Sequence, residues 1–193
     1  MENKGPNNRE KMMNLATIKE MADKRAEIGS LYIQIADRLS GAVARTKGAA
    51  IEQFKNHFKN GGFAIQEAPH QPSAGYQRME FLLTIDEKAA AGSHCGFTLT
   101  PPAALREPNL VIHMLLKDSR SAPNYVDTGD ADLVREAERE LQAVRAALNG
   151  PSPEFSFVIV QRKATGSLPS LVARNDKPTF ASFGELLASV YPQ

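Results

Sequence analysis

The feature that most constrains the fold is a series of segments with alternating hydrophobicity in the middle of the chain. In QRMEFLLTID (77–86), every second residue from Met79 to Ile85 is apolar, which is the period of a half-buried strand. Three further segments continue the pattern: HCGFTLT (94–100), NLVIHMLLKD (109–118) and EFSFVIVQRK (154–163). FAIQE (63–67) is a short candidate, and SLVARN (170–175) is a possible partner strand. The connectors EAPHQPSAGY and TPPAALREP contain the prolines typical of loops, so we expect a mainly antiparallel sheet.

The two faces of this sheet differ in polarity. One face is predicted to be the core, and the two later helices could cover it. Its residues are Met79, Phe81, Leu83, Cys95, Phe97, Leu99, Leu110, Ile112, Met114, Phe155, Phe157 and Ile159. The second face is mixed, because it carries four apolar residues, Leu82, Val111, Leu115 and Val158, among polar ones. A solvated antiparallel face would alternate more cleanly. We therefore expect the N-terminal helix or a second subunit to cover this face, or the face to be a contact surface.

The N-terminal region has helical spacing from about Lys11 to Asn60, and Gly61-Gly62 ends it. Within it the spacing becomes heptad-like, with two sets of seam positions: Ile28, Ile35, Ala42 and Ala49, and Tyr32, Leu39 and Thr46. Gly41 and Gly48 favour a kink or break around residues 40–48, since glycine costs about 1 kcal/mol in a helix interior. A seam needs a partner helix. Pairing of N-terminal helices in a homodimer is the economical solution, and folding back as a hairpin stays open.

Two later helices complete the predicted architecture. ADLVREAERELQAVRAALN (131–149) has one apolar face at 3–4 spacing, and SFGELLASVY begins with the capping-box pattern Ser182-x-x-Glu185. The predicted class is α+β: a mainly antiparallel four- to six-stranded sheet with helices packed on it, preceded by a long N-terminal helical, coiled-coil-like arm. The expected organisation is a disordered N-terminus (1–10), a helical arm (11–60) and an α+β domain (61–193).

Composition narrows the classes of function. A length of 193 residues, 42% of them hydrophobic, suits one domain or a domain with an arm. We expect no membrane contact, because no run of about 18 apolar residues occurs. The single cysteine, Cys95, fits a reducing compartment, and a cytoplasmic location is expected. Residues 1–60 hold 11 Lys and Arg against 7 Asp and Glu, a net charge of +4, which would favour an anionic partner.

No residue pattern predicts a catalytic, cofactor or metal site. Cys95 and His94 are strand neighbours and point to opposite faces, and His113 is predicted on the face opposite Cys95, so Cys95 is interpreted as a packing residue. DTGDAD (127–132) matches a calcium loop only in part, and its carboxylates are better explained as caps of the following helix. The sequence has neither GxxxxGK[ST] nor GxGxxG.

The order of elements resembles that of small α+β dimers that act as secretion chaperones, which bind extended segments of effectors, and of immunity and inhibitor proteins. The lack of paired catalytic groups, together with the partly apolar second sheet face and the helical seam, predicts a non-enzymatic, cytoplasmic homodimer that binds another protein as adaptor, chaperone, inhibitor or regulator. The alternative is a nucleic-acid-associated regulator that uses the mildly basic N-terminal helices. The predicted interaction residues are Ile28, Tyr32, Ile35, Leu39, Leu82, Val111, Leu115 and Val158.

Overall fold

The computed structural model describes residues 15–87, 92–117, 123, 125, 132–163 and 178–193, and the side chains of 161–163 are left out of the description. These ranges contain three α-helices and seven strands. In chain order they are α1 (Leu15–Asn60), β1 (Ala64–Gln66), β2 (Ser73–Tyr76), β3 (Met79–Asp86), β4 (Cys95–Thr100), β5 (Asn109–Leu116), α2 (Leu133–Leu148), β6 (Phe155–Lys163), β7 (Thr179–Phe180) and α3 (Phe183–Val190). The α+β class with a long N-terminal helix is confirmed.

The strands form one antiparallel sheet whose spatial order follows the chain from β1 to β7. Seven strands exceed the predicted four to six. β2 lies in a segment that we predicted to be a loop, and the two-residue β7 is too short to carry a periodic signal. β2 joins the sheet through its register with β3, from Ser73 opposite Leu82 to Tyr76 opposite Met79. The possible strand at 170–175 lies outside the described residues.

Two compact units make up the chain. The first spans Met1–Asp37 and Arg120–Pro151, and the second spans Arg38–Ser119 and Ser152–Gln193. The second unit therefore holds the whole sheet, α3 and the α1 residues from 38 onward. The first holds α2 and the α1 residues up to 37.

The core of the second unit lies on the predicted apolar face of the sheet. Phe97, Phe157 and Phe183 illustrate its packing, with ring centroids 5.2–6.1 Å apart at tilted or edge-on angles that suit aromatic quadrupoles. The helical residues buried against this face come from α1 and α3, and they are Ala42, Ala50, Phe54, Phe58, Phe183, Leu186 and Leu187. The expectation that the two later helices cover this face is thus correct only for α3, since the second covering helix is α1.

α1 runs unbroken from Leu15 to Asn60, so the predicted break around residues 40–48 is wrong. Ala42 within that stretch and Ala50 just after it are buried in the core, and this packing offsets the weak helix propensity of the two glycines. The predicted end of the helix is confirmed. Gly62 has φ +83°, and the amide of Phe63 donates to the carbonyl of Phe58 at 3.0 Å, which closes the last turn.

Candidate interaction surface

The predicted interaction residues of α1 lie in different surroundings. Ile28 is buried in a small cluster with Ala137 and Leu141 of α2, and Leu31 packs beside it. Tyr32 is exposed, Ile35 is half-buried, and Leu39 packs against the core of the second unit. The heptad pattern therefore marks a face of α1 that is largely covered by residues of the same chain. Whether these four residues also meet a partner stays a prediction.

The other four predicted residues, Leu82, Val111, Leu115 and Val158, share the sheet face opposite the core. The registers agree with this placement, since Leu82 lies opposite Thr100, Thr98 opposite Val111, and His113 opposite Val158. All four are half-buried. Threonines of β4 separate Leu82 from Val111, so the four side chains form a mixed surface instead of one apolar stripe. Their role in binding stays a prediction.

The most exposed large apolar side chains of α1 lie on a face that the sequence interpretation missed. Leu15 is 84% exposed, Ile18 45% and Ile33 64%. Exposed small residues fill the helical positions between and beyond them, at intervals of three or four. We call this face the α1 stripe, and it consists of Leu15, Ile18, Ala22, Ala26, Gly29, Ile33 and Ala36. The interval of three and four residues through Ala22, Gly29 and Ile33 was the signal available in the sequence.

Contacts with α2 hold another side of this α1 segment. Arg25 donates to Glu140 at 2.7 Å, Tyr32 donates to Glu140 at 3.4 Å, and Ile28 packs on Leu141. Two further ion pairs flank this contact, namely Lys24 with Glu138 and Arg145 with Glu27. Because these groups fix which side of α1 faces α2, they also fix the α1 stripe toward solvent.

Electrostatic effects within the first unit follow these pairs. The hydrogen bond between Lys24 and Glu138 raises the pKa of the Lys24 ammonium and lowers the pKa of the Glu138 carboxyl, in each case as the largest cause. Burial, followed by the charge of Glu140, raises the pKa of the Tyr32 hydroxyl. All three shifts stabilise the protonation states that neutral pH already favours.

Two buried carboxylates one helical turn apart on α2 were also missed from the sequence. Glu136 and Glu140 are 4% and 9% exposed. Such a pair could serve as a general acid and base. Here Glu136 accepts from Tyr125 and Arg139, while Glu140 accepts from Arg25 and Tyr32. Each carboxylate is thus held by a cation and a phenol, which is the arrangement of a structural ion-pair network.

The thiol hypothesis is disfavoured by the surroundings of Cys95. The side chain is 1% exposed, which confirms its interpretation as a packing residue. Burial raises the pKa of the Cys95 thiol to about 11, so the nucleophilic thiolate is scarce at neutral pH. The His94 ring instead stacks edge-on to Phe155, with centroids 5.3 Å apart.

Acidic groups elsewhere have plain structural roles. Asp132 caps α2, accepting from the amide of Arg135 at 3.3 Å, whereas Asp127 and Asp130 lie outside the described residues. Within the described ranges, no cluster of three or more His, Cys, Asp or Glu side chains could hold a metal ion.

The basic character of the front segment is partly neutralised in the structure. Lys24 and Arg25 pair with α2 carboxylates, Lys47 with Glu87 at 2.8 Å, and Lys55 with Glu52 and Glu67. These pairs occupy cations on which the nucleic-acid alternative depends. That alternative stays a prediction, with less free positive charge to support it.

Comparison with known proteins places the chain in no family. No protein-family model, no curated protein and no solved structure matches it. None of the helices in the described ranges combines the length and apolar character needed to cross a bilayer. Function therefore has to be argued from the surface of the molecule itself.

Proposed function

We propose that the chain is a non-enzymatic protein-interaction module that works as a homodimer, with the α1 stripe as the contact between copies. The observation that carries the proposal is the exposure of Leu15, Ile18 and Ile33 along one face of α1. An isolated exposed leucine needs no explanation, but three large apolar residues in register with small ones over six turns form a continuous surface. Such a surface is typical of a helix that packs on another helix.

A second copy of the chain is the occupant that the surface fits best. Full burial of one Leu or Ile side chain contributes roughly 1.5–3 kcal/mol, and a symmetric dimer would bury the three side chains of each copy. This gain is set against an association cost of roughly 4–15 kcal/mol. The two ranges overlap, so the balance supports a weak dimer that forms at high protein concentration.

Dimerisation would suit the work of an adaptor, chaperone, inhibitor or regulator. The eight residues predicted from sequence remain the first candidates for contact with another protein. A cytoplasmic location belongs to the same proposal, since the buried thiol of Cys95 needs no oxidising compartment.

Light scattering coupled to size exclusion tests the homodimer. At high concentration the purified protein is expected to give twice the chain mass of 21.1 kDa and to dissociate on dilution. Ile33→Glu should weaken association strongly, because it places a charge within the apolar contact. Gln34→Glu is the matched control, since Gln34 is the exposed neighbour outside the stripe and receives the same side chain.

Circular dichroism should show that both variants keep the helical signal of the wild type. A wild-type protein that stays at the chain mass at high concentration would make the homodimer wrong. Salt-dependent binding to random-sequence DNA, with a steep loss of affinity as salt rises, would instead support the nucleic-acid alternative.

A further inference from the structure

We propose that the two copies pair antiparallel along the α1 stripe, so that Lys19 of each copy meets Asp37 of the partner subunit. This inference rests on the proposed homodimer and specifies its geometry. Two independent properties of the described residues point to it: the order of large and small side chains along the stripe, and the charges at its edge.

The large and small residues of the stripe complement each other when the second helix is reversed. In one antiparallel register, Ile33 lies over Ala22 of the partner subunit. The same register places Ile18 over Ala36 of the partner subunit. At the centre, Ala26 lies over Gly29 of the partner subunit. Ile18 and Ile33 thus each meet a small side chain, and the smallest pair falls where the helices cross.

Close approach at the centre is sterically open in the structure. Gly29 is exposed, and a Cβ added there would meet no atom within 4 Å. The glycine is therefore not required by packing within its own chain, although it costs about 1 kcal/mol relative to alanine in a helix interior. An Ala26–Gly29 contact would allow the helix axes to come to the short end of the 8–10 Å range for packed helices.

The charges at the edge of the stripe agree with the same register. Lys19 and Asp37 are both exposed, and no ion pair joins either of them to another described residue. They are separated by 18 positions, about five helical turns, so they lie along the same edge of the stripe. A two-fold axis across the helix places the same edge of both copies together, and it brings Lys19 beside Asp37 of the partner subunit twice.

A parallel pair in register would lose both advantages. Ile33 would meet Ile33 of the partner subunit and Gly29 would meet its own counterpart, which leaves a bulge beside a gap. The two-fold axis of a parallel pair runs along the helices and brings opposite edges of the stripe together, so Lys19 would not meet Asp37 of the partner subunit. The antiparallel pair is therefore favoured by packing and by charge.

Charge reversal tests the geometry. Lys19→Glu and Asp37→Lys should each weaken dimerisation roughly tenfold, because each turns two attractive pairs into two repulsive ones. The double variant should recover most of the wild-type affinity, because it restores opposite charges at both contacts. Single reversals without effect on the dimer, or a double variant no better than the singles, would overturn the antiparallel register.

Cysteine cross-linking gives a second measurement that does not depend on charge. A mixture of Lys19→Cys and Asp37→Cys proteins should form a disulfide between unlike chains. Each variant alone should not, since its two cysteines would lie about 27 Å apart and a disulfide needs Cα atoms within about 7 Å. Cys95 is buried and should not compete.

The outcomes separate this inference from the homodimer. If Lys19→Cys links to itself while light scattering still gives twice the chain mass, the antiparallel register is wrong and the homodimer stands. If the wild type is a monomer throughout, both are wrong. Cross-linking only between unlike variants, together with rescue by the double charge reversal, would establish the register.

Discussion

The two parts of α1 are one continuous helix with very different support. In residues 38–60, Ala50, Phe54 and Phe58 are almost fully buried in the sheet core. In residues 15–37, Ile28 is the one large apolar side chain that is buried, and four large hydrophobic residues are exposed: Leu15, Ile18, Tyr32 and Ile33. Helical propensity alone does not hold an isolated segment of this length firmly in water. The second segment is therefore stabilised by packing, whereas the first depends on ion pairs, a small cluster and, we propose, a second copy.

The largest expected effect comes from truncating a core residue in each segment. Phe54→Ala should lower the free energy of unfolding by roughly 3–5 kcal/mol, because it leaves a cavity in a closely packed core. Ile28→Ala should cost about 2 kcal/mol, the lower end for such truncations, because its cluster is small and can relax. Chemical denaturation measures both. Equal losses at the two positions would contradict the difference in support between the segments.

The next largest effect is expected from alanine substitution at two comparable glycines of α1. Gly29 and Gly48 are both exposed in the interior of α1, and a Cβ at either position meets nothing within 4 Å. Alanine at either site should raise stability by up to about 1 kcal/mol through helix propensity. Only Gly29→Ala should also weaken the dimer, because it adds a methyl group at the proposed crossing. Denaturation under monomeric conditions and dilution series by light scattering separate the two effects.

The smallest effect is a pH dependence confined to the first segment. The folded pKa of Glu138 is lowered, so its contribution is present above the unfolded value near 4.5 and is lost as pH falls through the folded pKa. The folded pKa of Lys24 is raised, so its contribution is present below 10.5 and is lost as pH rises through the folded pKa.

Hydrogen exchange of the α1 amides measures this dependence. Protection corrected for intrinsic exchange should fall at low pH in residues 15–37 more than in residues 42–58. Glu138→Gln should remove the difference between the segments. The same fall in both segments would show that the Lys24–Glu138 pair is not its source.

The periodicity of the sequence predicted most of the helices and strands, but it did not predict which of them pack together. Strands such as β3 were readable because alternate residues are buried on one face. β2 was not, because Ser73, Ala74 and Gly75 have little strand propensity and join the sheet through backbone pairing with β3. The count of strands was wrong for this physical reason.

The candidate site shows the same limit. The heptad spacing included Ile28, which is buried, and Leu39, which is half-buried, but spacing carries no information on what covers them. α2 contacts the first residue and the sheet core the second. The α1 stripe escaped notice because most of its members are small, and small residues give a weak hydrophobic signal.

Alkylation of the buried Cys95 thiol can report when the core of the second unit opens. Alkylating reagents react with the thiolate form of cysteine. Because the pKa of the buried Cys95 thiol is about 11, roughly one folded molecule in ten thousand carries the thiolate at pH 7. The side chain is also closed to reagents while the core is intact. Because the sequence holds no other cysteine, each labelled molecule records one opening of the core around Cys95. The rate of labelling therefore measures how often the core of the second unit opens, and no engineered probe is needed.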